Sequence, residues 1–293
     1  MPRMRLYLVR HKRLLLLIGG AVVLVAVVLV AVHRRTGPSR CDSGWVNAGA
    51  RCCAPGQSIA SGHCVGTPSQ CPPRFHRAMT QATGCAFDAQ RIRVGPTTLK
   101  VGPNDWQSEQ VPQIDRQVGA LMVDATEVDG ERWQACVAAH RCVPKPIVEP
   151  GQPVTRVTVD EARSFCAALA GRLPTLDERM AVAVGNESRR YPWGQTGLVC
   201  RRTVFGITNG PCAEKGSGPD VAGSHPDGQS PEGVLDLSGN VAEMAVDERQ
   251  RAWACGGSFR SKTALELKSW ACSLFLGPAD DVGFRCVYDA SIQ

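Results

Sequence analysis

Hydrophobic and polar positions fall into a helical rhythm at only a few places along these 293 residues. Val159, Ala162, Phe165, Cys166 and Leu169 share one face of a 3.6-residue period, and Asp160 and Glu161 stand in the first turn, where the helix dipole favours acids. That spacing predicts a helix over Val159–Ala170. Shorter helices are predicted over Asp129–Ala139 and Leu176–Val184. After residue 190, Gly, Pro, Asn and Asp recur every few residues, and only short strands such as Ala252–Cys255 and Gly283–Tyr288 fit between them. At the other end, Leu14–Val32 is an unbroken run of 19 uncharged, mostly aliphatic residues. As a helix rising about 1.5 Å per residue, it is long enough to cross the hydrocarbon core of a bilayer.

The flanks of that run favour an uncleaved anchor over a signal peptide. The apolar stretch is longer than a signal peptide needs, and His33-Arg34-Arg35 follows it where small residues would mark cleavage. Arg3, Arg5, Arg10, Lys12 and Arg13 precede it, against Arg34, Arg35 and Arg40 after it, which places residues 1–13 in the cytoplasm as a stub and the rest outside. All 14 cysteines lie beyond the anchor, a density suited to an oxidising compartment. The expected location is therefore the cell membrane, single-pass, with an extracytoplasmic C-terminal part. The formal charge of +6 resides in the N-terminal segment: residues 41–293 carry 25 Lys and Arg against 27 Asp and Glu. Without a basic surface, the exported part is not a nucleic-acid binder.

Residues 41–90 form a cysteine-rich module with a loose repeat. Cys41 and Cys52, Cys53 and Cys64, and Cys71 and Cys85 are separated by 11, 11 and 14 positions, with a glycine shortly before each closing cysteine. The repeat predicts three self-closed loops among the 15 connectivities that six cysteines allow. So few apolar residues cannot build a core, and cross-links must hold the module's shape. Farther on, Cys136 with Cys142 and Cys200 with Cys212 are close enough in sequence to close local loops.

Several short strings then occur in fixed order: Arg172-Leu173-Pro174-Thr175, Tyr191-Pro192-Trp193-Gly194, Ser238-Gly239-Asn240-Val241 with Glu243, Gly256-Gly257-Ser258-Phe259, and Gly283-Phe284-Arg285-Cys286. Weaker matches precede them at Val123-Asp124-Ala125-Thr126-Glu127-Val128 and at Pro153–Thr158. Together they resemble the formylglycine-generating enzyme, or sulfatase-modifying factor, domain family, over roughly residues 91–288. The resemblance implies an α+β, loop-rich, C-type-lectin-like fold, preceded here by the membrane helix at 14–32 and the module at 41–90. It also implies a disulfide between Cys166 and Cys286, which leaves Cys255 and Cys272 to pair or to act as a redox couple.

The resemblance implies an oxidase that binds copper through two cysteine thiolates, ligands of the soft kind that copper(I) favours. Counting from Ser258, the first of these positions falls on Ser261 and the second on Glu266 or Leu267. Neither is a thiol, so copper is not expected. It further implies a structural calcium held by Asp236 and Glu243 side chains and by the Gly239 and Val241 carbonyls, a hard oxygen set suited to that ion. The competing reading is an Asx turn at Asp236 with Glu243 solvated or paired to an arginine. The resemblance implies a second calcium site that needs an Asn or Asp after Tyr191-Pro192-Trp193-Gly194, and around Cys200-Arg201-Arg202 there is none. His63, His76, His140 and His225 show no ligand-like spacing, and Trp193, Trp253 and Trp270 are either core or groove residues. The expected function is a non-catalytic binding or assembly module with a protein or peptide ligand. The alternative is an oxidase, or another metal-dependent oxygen-using enzyme, of this family.

Overall fold

The computed structural model describes residues 44–290, except 48–51, 61–62, 74, 78–83, 103–112, 146–148 and 207–217. The expected membrane segment Leu14–Val32 and residues 1–13 lie outside the described residues. Among those described, no helix is long and apolar enough to cross a membrane.

The cysteine-rich module is a series of small antiparallel hairpins: β1 (Val46–Asn47) with β2 (Cys52–Cys53), β3 (Ser58–Ala60) with β4 (His63–Val65), and β5 (Phe75–Arg77) with β6 (Cys85–Phe87). Strands of two or three residues cannot hold alone in water. Disulfides Cys53–Cys64 and Cys71–Cys85 close two of the three loops. Cys41 falls outside the described residues. The module is tied to the following domain by His76, whose Nδ1 lies 2.9 Å from Asp88 Oδ1 and whose Nε2 lies 3.0 Å from Glu131 Oε2.

Next come β7 (Arg91–Val94), β8 (Thr97–Val101), β9 (Ile114–Val118) and β10 (Leu121–Asp124). Three helices follow: α1 (Gly130–Ala138), α2 (Val159–Ala168) and α3 (Leu176–Val184). All are short and depend on their caps. Asp129, expected inside the first helix, instead caps α1 by accepting the Arg132 backbone N–H. Thr158 with Glu161 and Thr175 with Glu178 form reciprocal capping boxes on α2 and α3. The second helix stops at Ala168 rather than Ala170, because Ala170 turns to φ 60° and cannot continue it.

The C-terminal half supplies β11 (Ala242–Val246), β12 (Ala252–Cys255), β13 (Cys272–Leu274), β14 (Val282–Gly283) and β15 (Val287–Asp289). One sheet runs β13-β12-β11-β14 and another β15-β10-β7. The strand expected over Gly283–Tyr288 is therefore two pieces in two sheets. β14 pairs parallel with β11, whereas β15 pairs antiparallel with β10. Between them Phe284 and Arg285 turn inward and Cys286 bonds to Cys166, so the backbone leaves one ladder to join the other.

Two apolar clusters fill the interior. One packs α3 against β8, β9 and β10; the other centres on Trp133, Phe165 and Phe284, with ring centroids 5.4–6.3 Å apart. Between these clusters lies a buried polar layer.

Candidate functional site

The polar layer is built from five places in the chain. α3 contributes Arg179, the entry to α1 contributes Glu127, the turn before β11 contributes Asp236 and Asn240, and Glu243 and Arg285 come from β11 and the crossover after β14. All six are at most 3 % exposed. Glu243 accepts from Arg179 Nε at 2.6 Å on one oxygen, and from Arg285 Nε at 2.8 Å on the other, where Arg285 Nη2 also donates. The two guanidiniums extend outward to backbone: Arg179 donates to the Leu237 carbonyl, and Arg285 to those of Asp124 and Leu235. Burial pulls the Arg179 pKa below its ordinary value against the opposing pull of Glu243. At Arg285, Glu243 outweighs burial and the pKa rises.

Asp236 stands on a turn with φ 55°; its Oδ2 accepts the Gly223 backbone N–H at 2.5 Å. Neither Asp236 Oδ1 nor Glu127 Oε2 has a hydrogen-bond partner. Burial raises both carboxyl pKa values, that of Glu127 well above normal. Asn240 links this pair outward, donating to Glu127 Oε1 at 3.2 Å and accepting the Asp220 backbone N–H at 2.9 Å. Asp220 in turn meets His225 at 3.0 Å.

The four residues expected to hold calcium are all buried, but Glu243 is engaged by arginines. Both of its oxygens face guanidiniums, and a divalent cation there would sit against two like charges without solvent to screen them. The donor set does not fit a cation at Glu243. Only the Asp236–Glu127 pair has oxygens without a fixed donor. Sequence reasoning quoted Glu127 as part of a family string and gave it no role; Arg179 was not singled out at all.

On the other face of the β11–β12 pair lies a groove of about 570 Å³ that includes Ser261, Glu266, Cys272, Leu274, Leu276 and Asp281 in its lining. It is formed where Gly256 and Gly257, at φ 88° and 67°, turn the chain out of β12. A Cβ on Gly256 would come within 2.5 Å of the Leu237 carbonyl, and one on Gly257 within 2.7 Å of Ser261 Oγ, so the turn admits no side chain. Ser261 is buried and its Oγ accepts the Ser258 backbone N–H at 3.0 Å. Glu266 bonds the Thr263 N–H and hydroxyl at 3.2 and 2.7 Å. Leu267 turns away into the core beside Tyr191 and Phe205. Both polar side chains are therefore used to hold the loop.

Cys255 and Cys272, directly opposite each other on β12 and β13, are joined by a disulfide, with Cys272 on the groove wall. Cys136–Cys142 and Cys166–Cys286 are also joined. Cys200 is disulfide-bonded as well, and Cys212 lies outside the described residues. No described cysteine is free.

With this geometry in place, comparison with known proteins assigns the fold. The model of the sulfatase-modifying factor enzyme 1-like domain matches residues 78–290. The chain belongs to this family. Its match begins inside the cysteine-rich segment, ahead of residue 91. Among solved structures, PvdO from Pseudomonas aeruginosa aligns with TM-score 0.55 at 16% identity, over 68% of this chain and 94% of that one. Treponema denticola variable protein 1 gives 0.53 at 16% over 73% and 98%, and CarF gives 0.50 at 18% over 69% and 98%. At such identities the likeness is one of fold alone. No curated protein matches the sequence.

Within the family fold, the remaining candidates scatter. His76 and His225 are held by carboxylates, and no described group of three or more His, Cys, Asp or Glu side chains is arranged to hold a metal. The His63 side chain lies outside what is described, and His140 sits in the turn after α1 at φ 57°. Trp253 donates to Asp247 at 3.1 Å, Trp193 stacks on Tyr191, and Trp270 packs against the core. None of the three lines the groove. Among the described residues, the fully buried tryptophan is Trp133.

Proposed function

We propose that this chain is a membrane-anchored, extracytoplasmic sulfatase-modifying-factor-like domain that binds a protein or peptide in the groove beside β13 and carries out no oxidation. One observation supports this reading above the others: the groove offers no thiol. The serine and glutamate at the expected copper positions are committed to loop hydrogen bonds, and the groove's cysteine is in a disulfide. A serine hydroxyl does not replace a thiolate as a copper(I) ligand at neutral pH.

A binding role draws support from the groove's edge. β13 is the terminal strand of its sheet, so one side of its backbone is open to pairing. Leu265, Leu274 and Leu276 rim the groove in the open, the last 91% exposed. An extended segment with apolar side chains, paired along β13, suits such a site.

The test is incubation of the purified full-length chain with a sulfatase-type cysteine peptide, copper(I) and oxygen, followed by mass spectrometry of the peptide. The parent is expected to leave the peptide unchanged. Conversion of its cysteine to formylglycine by the parent, lost when Cys255 or Cys272 is replaced, would establish the oxidase reading instead and place its chemistry on that pair.

A further inference from the structure

We infer that the Arg179 guanidinium does for Glu243 what a divalent cation would do, so that this fold stands without calcium and loses that independence when Arg179 is removed. The inference does not depend on what the groove binds.

The charges in the buried layer decide it. Three carboxyls (Glu127, Asp236 and Glu243) face two guanidiniums (Arg179 and Arg285), all but sealed from water. Beside the layer, Asp124 pairs with Arg132, and Asp220 meets His225. With all five ionised the layer is one positive charge short, and both oxygens of Glu243 are already taken by guanidiniums. Adding a divalent cation to the three ionised carboxylates and two guanidiniums would instead leave a buried net positive charge.

Without Arg179, the same three carboxylates face one guanidinium and the layer is two positive charges short. That deficit matches a calcium ion. The oxygen donors for it already stand in sequence at Asp236, Gly239, Val241 and Glu243. Arg179 reaches Glu243 from α3, while Gly256 leaves room for its Nη2, 2.7 Å from where a Cβ would stand. The device thus combines one arginine with one glycine turn. Arg179 grips Glu243 through Nε and the Leu237 carbonyl through Nη2, while its Nη1 is buried without a partner.

The experiment is thermal melting of the full-length chain in detergent, in EDTA and in millimolar calcium or magnesium, for the parent, Arg179→Met and Arg179→Lys. For the parent and for Arg179→Lys, which keeps the charge, the melting temperature of each is expected not to change from buffer to buffer. Arg179→Met is expected to melt lower in EDTA and to recover in calcium but not magnesium. A calcium-dependent rise in the parent that disappears in Asp236→Asn overturns the inference, as does a folded Arg179→Met protein indifferent to calcium. Should Arg179→Met fail to fold in EDTA, refolding on addition of calcium supports it. Failure to fold in any buffer leaves the parent's response to calcium as the deciding measurement.

Discussion

Arg179 and Glu243, 64 positions apart, meet at 2.6 Å where neither side chain touches water. Removing one partner strands the other as a buried charge. Glu243→Ala is expected to cost about 3–5 kcal/mol, and Arg179→Ala a comparable amount in the absence of divalent cations. Urea unfolding of each variant measures this. A loss below about 1 kcal/mol would mean that the pair is solvated in solution.

Cys166 and Cys286 cross-link α2 to the crossover between the two sheets, 120 positions apart. Replacing both by serine is expected to lower stability by about 2–5 kcal/mol, because a long loop in the unfolded chain is released. The Cys136–Cys142 pair closes a span of only six positions and is expected to matter less. Equal losses from the two double variants, measured by denaturant unfolding, would remove the loop-length argument.

Titration of the unfolded, unreduced full-length chain with a thiol reagent is expected to find essentially none of its 14 cysteines reactive. Two or more reactive thiols would undo both the oxidising-compartment reading and the claim that the groove lacks a thiol.

His76 carries a pH dependence between module and domain. Burial alone would lower its pKa, but Asp88 and Glu131 on its two ring nitrogens outweigh this and raise it above 6.5. A raised native pKa means that the contribution is complete below the unfolded value, about 6.5, and is lost as pH rises through the native value. The parent is thus expected to be stabilised relative to His76→Ala at pH 5.5 more than at pH 8.5. Melting curves of both proteins at the two pH values test it. A difference that is flat, or larger at high pH, would contradict the assignment.

Much of the frame was legible because its signals are local. The apolar stripe Val159–Leu169 lies within the helix it specifies, and the short apolar run Ala252–Cys255 between turn residues marks one strand. The family strings located the loops. The Gly283–Tyr288 segment misled because a short run between turn residues gives no hint that a strand changes partners midway. The buried layer was hidden for a similar reason. Arg179 reads as an ordinary polar position on a short helix until the fold brings Glu243 beside it. Glu127 and Asp236 are 109 positions apart, and only their burial makes them a pair.

The crossover between β14 and β15 also sets a timetable for folding. Each of the two sheets is completed by a strand from this last stretch, so one ladder waits for residue 283 and the other for residue 289. At about 5–20 residues per second, Cys166 then waits on the order of ten seconds for Cys286 to emerge. During that interval it is exposed to earlier and nearer thiols such as Cys136 and Cys142. Productive folding therefore calls for a catalyst able to undo early, wrong pairings, and the yield of native protein should follow the disulfide-isomerase capacity of the compartment in which it is made.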